Sequence, residues 1–383
     1  ALQLNEEGIR LVSRGEYEKA IKTFTKARRL QPADVTLKQN LATARSRHAG
    51  ALLGAGKDAE AIQQFRLAVA LVPTEAVHHA NLGIALVRFG KVAEGKKSLE
   101  AAVRADAACV AAHAELGSLH YREGDLFRAK DHLGKAAKAK PKSADLKKAY
   151  ERVAREYEVE KKFKSVESDH FRISWDGAQD ATVGDRLKIH LEDAYSEVAA
   201  DLGIRPERKT RVILYTRQNF KAVTGAHDWV GGLFDGRIRI PVQNFHKAER
   251  EIRSTIRHEY VHVAVDSVTK KCPAWLNEGL AQHYEGRSVS TWLGTLSKAK
   301  RADILFSLKE LTPNFTAFKD ANRARLAYAQ SLSIVSFLMD EHGPKAIGTF
   351  LTALGEGKKP EEACRAAFTM SQAELYEDWA ETL

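Results

Sequence analysis

Small and bulky apolar residues recur in register through residues 1–143. Ala20, Ala61, Gly95 and Ala129 are each followed four residues later by Phe24, Phe65, Leu99 and Leu133, and seven residues later by Ala27, Ala68, Ala102 and Ala136. That spacing marks one face of an α-helix. Gly15, Gly56, Gly90 and Gly124 stand five residues before each set, between two helical patterns, where a tight turn needs a small residue. Pro32, Pro73 and Pro141 close three of the units. The spacing is 34 residues from the second unit to the third and from the third to the fourth, but 41 from the first to the second. The excess of seven is two helical turns, so one helix lengthens without rotating its apolar face. Leu146, Tyr150, Val153 and Tyr157 continue the helical spacing among many charges, as a helix capping the end of an array should.

Beyond Lys164 the period changes. HFRISW and TRVILYT read as strands, and VGDRLKIHLEDAYSEVAADLG between them as a helix ending at Gly203. WVGGLFDGRIRIPV carries an Asp235-Gly236 turn signal followed by alternation through Arg237, Ile238, Arg239 and Ile240. Pro241 there predicts an edge strand, since proline cannot donate to a central ladder. Glu249 to Asp266 then reads as a helix. Two domains are expected, 1–163 and 164–383.

The first pattern resembles the tetratricopeptide repeat, a helix-turn-helix unit of about 34 residues. The resemblance implies an all-α solenoid of about four repeats plus a capping helix, a scaffold that binds protein segments and carries no chemistry. His48, His78, His79, His113, His120 and His132 follow no repeated ligand pattern and are expected on the surface or in a groove.

The chemistry is expected on the helix containing HEYVH. His258 and His262 lie four residues apart and project from one face, where both rings can hold one ion. Glu259 can reach a water there without filling a ligand position. The plain alternative is a helix with incidental histidines, but burying them with a carboxylate among Val261, Val263 and Val265 would be costly without partners. Downstream, CPAWLNEGLAQHYEG places Glu278 sixteen residues after His262, flanked by Trp275, Leu276, Leu280 and Ala281. A carboxylate on so apolar a helix calls for a partner.

HEYVH followed by WLNEGLA resembles the gluzincin metallopeptidases of the thermolysin and aminopeptidase N superfamily, in particular the peptidase MA-like branch. The resemblance implies an α+β zincin-type domain holding one Zn2+ per chain on His258, His262 and Glu278, with Glu259 as general base. LAYAQSLSIVSFLMDEHG resembles the downstream helix of aminopeptidase N-like enzymes, which implies that Tyr328 donates to the transition-state oxyanion. In aminopeptidases a glutamate-bearing strand anchors the free amino group of the substrate. The corresponding GGLFDGRIRI has no such glutamate, so the expectation is cleavage of internal bonds or trimming that needs no free N-terminus, with an edge strand still able to pair with an extended peptide.

Asp266 and Glu285 are candidates to fix a ligand tautomer, although a solvated helix-end carboxylate is the plainer reading of each. Arg237 and Arg239 share a strand face that is either solvated or open to a substrate carboxylate. Trp229 and Phe234 either line a pocket or pack in the core.

Composition narrows the picture. Hydrophobic residues make up 44% of the 383, enough for real cores, and no apolar run approaches a membrane span. Cys109, Cys272 and Cys364 lack metal spacing and imply no disulfide framework. Residues 1–163 carry 30 Lys and Arg against 20 Asp and Glu, whereas 164–383 carry 30 against 30. The whole net charge of +10 therefore sits on the repeats, which favours an acidic or mixed-charge polypeptide partner. No basic motif interleaved with aromatics points to nucleic acid. The chain begins at Ala1, which leaves an exported or cell-envelope location open for a soluble protein. The expected function is a zinc peptidase with a recruitment domain. The alternatives are a binding scaffold with an inactive peptidase-like domain and a hydrolase of non-peptide amides.

Overall fold

The computed structural model describes residues 1–176, 182–226, 231–242, 244–315, 318 and 320–383. These separate into two compact units, Ala1–Glu158 and Val159–Leu383. The first is an all-α repeat array and the second an α+β unit.

The repeat helices are α1 (Leu2–Ser13), α2 (Tyr17–Leu30), α3 (Val35–Gly54), α4 (Asp58–Leu71), α5 (Ala76–Arg88), α6 (Val92–Ala105), α7 (Val110–Glu123), α8 (Leu126–Ala139) and α9 (Ala144–Glu160). Gly15, Gly56, Gly90 and Gly124 turn the chain between the helices of each pair with φ between +72° and +82°. The seven extra residues lengthen α3, which has 20 residues where α1, α5 and α7 have 12, 13 and 14. Each repeated Phe or Leu is buried against a small residue of the preceding helix. A Cβ on Gly8, Gly83 or Gly117 would come within 2.6 Å of Phe24, Leu99 or Leu133, so helices at these pairs approach too closely for a larger residue. Three histidines depart from expectation. His78, His113 and His120 are buried rather than in a groove or on the surface. His78 Nδ1 lies 2.9 Å from Ser46 Oγ, and His113 Nδ1 lies 2.8 Å from His132 Nδ1.

The second unit opens with β1 (Lys164–Glu167), β2 (Phe171–Trp175), α10 (Thr182–Leu202), β3 (Thr210–Tyr215), α11 (Arg217–Thr224), β4 (Leu233–Phe234) and β5 (Ile238–Pro241). The strands form one sheet in the order β1-β2-β3-β5-β4, parallel at its centre and antiparallel at both ends. The expected edge position of Pro241 is corrected: β5 lies between β3 and β4, and the two-residue β4 is the edge. Proline fits because it ends β5, beyond β4, which pairs only with Ile238 and Arg239. The next amide, Val242 N–H, donates to Tyr215 O at 2.7 Å and resumes the ladder.

The remaining helices are α12 (Glu249–Val268), α13 (Ala274–Glu285), α14 (Leu293–Arg301), α15 (Ala321–His342), α16 (Pro344–Gly355), α17 (Pro360–Phe368) and α18 (Gln372–Glu381). One face of the sheet, through Phe171, Ile173, Val212 and Leu214, shares a core with α10, α12, α13 and α15. The other face, through Ile213 and Tyr215, packs on Phe220 and Val223 of α11. Gly279 fixes the approach of α13 to α15, since a Cβ there would sit 2.4 Å from Ser331 O. That contact sets the turn bearing Glu278 beside the turn bearing Tyr328. No described helix is long and apolar enough to cross a membrane.

Candidate metal centre

Helix α12 presents His258 and His262 one turn apart, with ring centroids 5.0 Å apart and planes at 82°. Helix α13 brings Glu278 against them. One ligand atom from each of the three residues lies within 4.8 Å of the others. Each imidazole is held from behind. His258 Nδ1 lies 3.1 Å from Glu285 Oε2, and His262 Nδ1 lies 3.1 Å from Asn277 Oδ1. Both partner oxygens accept, so both Nδ1 atoms carry the proton and each Nε2 keeps its lone pair. Glu285 is fixed in turn by Arg287, whose Nε and Nη2 donate to it at 2.8 and 3.2 Å. Two imidazole lone pairs and one carboxylate, all partly exposed, fit a zinc site with a position left open to the cleft.

Glu259 is 5% exposed. Burial, reinforced by the charges of Glu278 and Glu285 and opposed by His258, lifts its pKa to about 7. Its position depends on Gly232, just before β4, where a Cβ would meet Glu259 Oε1 at 2.6 Å and Thr255 Cγ2 at 2.8 Å. The edge of the sheet therefore descends onto Glu259 only because residue 232 has no side chain. Burial disfavours a charge on His258, but hydrogen bonding to Glu285 and the nearby carboxylates outweigh it and raise its pKa. At His262 burial wins and the pKa is lowered. Burial would raise Glu285, yet its bonds to His258 and Arg287 hold it down at about 2.

Two cavities of about 790 and 520 Å³ flank these residues and share Gly232, His258, Glu259, Glu278 and Tyr328. Tyr328 is the eighth residue of α15. Its ring stands edge-on to Phe315 at 5.2 Å, and its carbonyl accepts from Gln282 Nε2 at 3.0 Å. Burial and the charge of Glu278 push the phenol up to about 12, so it remains a donor at working pH.

All five expected site residues thus line one cleft. Of the two candidate orienting carboxylates, Glu285 takes that position and Asp266 does not, being paired with Lys270 just beyond the end of α12. Asn277 was not anticipated, although it immediately precedes Glu278 in WLNEG. Arg237 and Arg239 do not form a solvated face. Both are buried, and Arg239 donates to Tyr215 Oη at 2.6 Å and pairs with Asp235 at 3.1 Å. Phe234 lines the smaller cavity, and Trp229 lies outside the described residues. The three cysteines are free thiols.

Comparison with known proteins agrees with this division. The Tetratricopeptide repeat profile matches residues 5–76 and 81–144, and the Peptidase MA superfamily profile matches residues 191–383. Among curated proteins, TPR repeat-containing thioredoxin TTL4 of Arabidopsis thaliana is 33% identical over 93 residues, which are 24% of this chain and 14% of that protein. The chain thus spans a small part of the curated relative it matches. Similar solved structures include the first TPR of Spaghetti (RPAP3) bound to an HSP90 peptide, with 18% identity, TM-score 0.30, and coverage of 31% of this chain and 95% of that one. MamA shows 20% identity, TM-score 0.31 and coverage of 39% and 82%. A tetratricopeptide repeat protein from Parabacteroides merdae shows 13% identity, TM-score 0.33 and coverage of 99% and 98%. With the superfamily profile spanning half of its length, and two histidines and a glutamate converging inside that span, the chain belongs to the peptidase MA superfamily and carries tetratricopeptide repeats in its first unit.

Proposed function

We propose that the second unit is a zinc-dependent peptidase, and that His258, His262 and Glu278 hold one zinc per chain. The observation that carries this reading is the convergence of those three donors with both ring tautomers already fixed. Zinc, when bound, supplies a Lewis acid and an activated water. Glu259 takes the proton of the attacking water and returns it to the leaving nitrogen. Its burial beside the metal donors places a carboxylate where it can make both transfers. Tyr328 donates to the oxyanion of the tetrahedral intermediate. Asn277 and Glu285 hold the rings so that Nε2 and not Nδ1 faces the centre. Strand β4, at the edge of the sheet, offers main-chain groups to an extended peptide, and the absence of an amino-group anchor in GGLFDGRIRI favours internal bonds.

The repeat unit recruits a protein partner or substrate. The excess of ten positive charges over residues 1–163 supports an acidic or mixed-charge segment, whose binding weakens with salt. Metal analysis combined with cleavage of a quenched-peptide library tests the catalytic reading. A protein that binds zinc stoichiometrically but cleaves nothing would be a scaffold with a peptidase-like domain.

A further inference from the structure

We infer that Arg325 binds a substrate carboxylate at one end of the cleft, so that the enzyme cuts at a fixed distance from an acidic side chain or a free C-terminus. The inference rests on the peptidase reading above. Ala321, Arg325 and Tyr328, spaced four and three apart, turn one face of the first two turns of α15 to the cleft. All three line the larger cavity together with His258, Glu259 and Glu278. The Arg325 guanidinium therefore shares a cavity with the reacting groups, about one helical turn from the Tyr328 side chain.

The charges of that cavity do not balance locally. Arg287 is occupied by Glu285, and Glu285 also holds His258. Glu259 and Glu278 belong to the metal centre. Arg325 is exposed and, among the described residues, has no carboxylate or hydrogen-bond partner. Arg323, two residues before it, is stacked over Phe306 at 4.6 Å and is not among the residues lining the cavity. At the other end of the cleft the cation Lys270 is already paired with Asp266. One end of the cleft thus offers an unpaired planar cation, and the other end does not. A guanidinium matches the two oxygens of a carboxylate, and half-buried Trp292 supplies an apolar wall for the chain between that carboxylate and the scissile bond.

The test uses the full-length, zinc-loaded protein and a proteome-derived peptide library, either native or with every carboxyl amidated, with products identified by mass spectrometry. Wild type is expected to cleave the native library with Asp or Glu enriched at one fixed position from the cut, if side chains are the source. If the C-terminal carboxylate is the source, cuts fall at one fixed distance from the peptide end. Amidation should lower kcat/KM by about three- to thirtyfold, and Arg325→Gln should bring the ratio of native to amidated cleavage close to one. Binding gives a second readout: a preferred peptide should bind the Glu259→Gln protein more tightly than its amide, and lose that margin when Arg325→Gln is added. An unchanged native-to-amidated ratio in Arg325→Gln, or a wild-type profile indifferent to amidation, would overturn the Arg325 assignment alone. Absence of any cleavage by the zinc-loaded wild type would overturn the peptidase reading and this inference with it.

Discussion

Asn277 Oδ1 accepts a hydrogen bond from Nδ1 of His262 at 3.1 Å, while the next residue in the chain, Glu278, brings its carboxylate to the point where His258 and His262 converge. One turn of α13 thus supplies both a candidate metal donor and the group that aims another. Replacing Asn277 by Ala leaves the ring free to rotate or change tautomer. Zinc affinity should fall by about 10- to 100-fold with the fold intact, measured by competition with a chromophoric chelator. Asn277→Asp keeps an acceptor and should recover most of the loss. Unchanged affinity in Asn277→Ala would remove this role.

Gly232 tests the dependence of Glu259 on the edge of the sheet. In Gly232→Ala the new methyl meets Glu259 Oε1 at 2.6 Å, which must displace the carboxylate or β4. Peptide turnover should fall at least about tenfold, since misplacing a reacting group by an ångström costs up to about 10²-fold. Zinc content, set by three other residues, should hold. Wild-type turnover would mean that Glu259 has room the structure does not show.

Tyr328→Phe removes one donor and little volume. A loss of about 10²–10³ in kcat with zinc retained is the expected outcome if the hydroxyl meets the oxyanion. Because burial pushes this phenol to about 12, no activity limb below pH 10 should be assigned to it, and the pH profile of residual Tyr328→Phe activity should keep its shape there.

The repeat unit carries its own pH dependence. Burial, with His113 and His120 beside it, lowers the pKa of His132 to about 4, although Asp131 opposes this and Lys135 assists. In the unfolded chain the same ring titrates near about 6.5. As pH falls from there toward 4, the unfolded state binds a proton that the folded state does not. Stability is therefore full above the unfolded pKa and lost as pH falls through that window. His132→Gln should lessen the loss between pH 7.5 and 5 in the unfolding of the helical circular-dichroism signal of the full chain.

Local rules made the repeats readable. Phe24, Leu99 and Leu133 recur at helical spacing from small residues, and seven added residues in α3 preserve a helical face, so both period and exception are visible in the chain. The candidate metal centre is readable for the same reason, since His258, Glu259 and His262 sit on one helix and Glu278 follows in a distinctive segment. What spacing does not carry is long-range partnership. Pro241 looked like an edge residue because the two-residue β4 leaves too little pattern to announce itself. Asp266 and Glu285 were equivalent candidates until the path of α13 brought only Glu285 to His258. Arg239 looked solvated because nothing local signals its approach to Tyr215. The place of helices α16 to α18 in the core rests on distant contacts such as Trp379 Nε1 donating to Ser333 Oγ at 3.0 Å.

The central claim is that this cleft hydrolyses peptides with Glu259 as base beside a zinc held by His258, His262 and Glu278. It is tested most directly by measuring zinc content and peptide cleavage on the same preparations of wild type and Glu259→Gln. The account predicts one zinc per chain in both proteins and cleavage in the wild type alone. Cleavage by Glu259→Gln at the wild-type rate, or a fully folded wild type that binds no zinc, would contradict it.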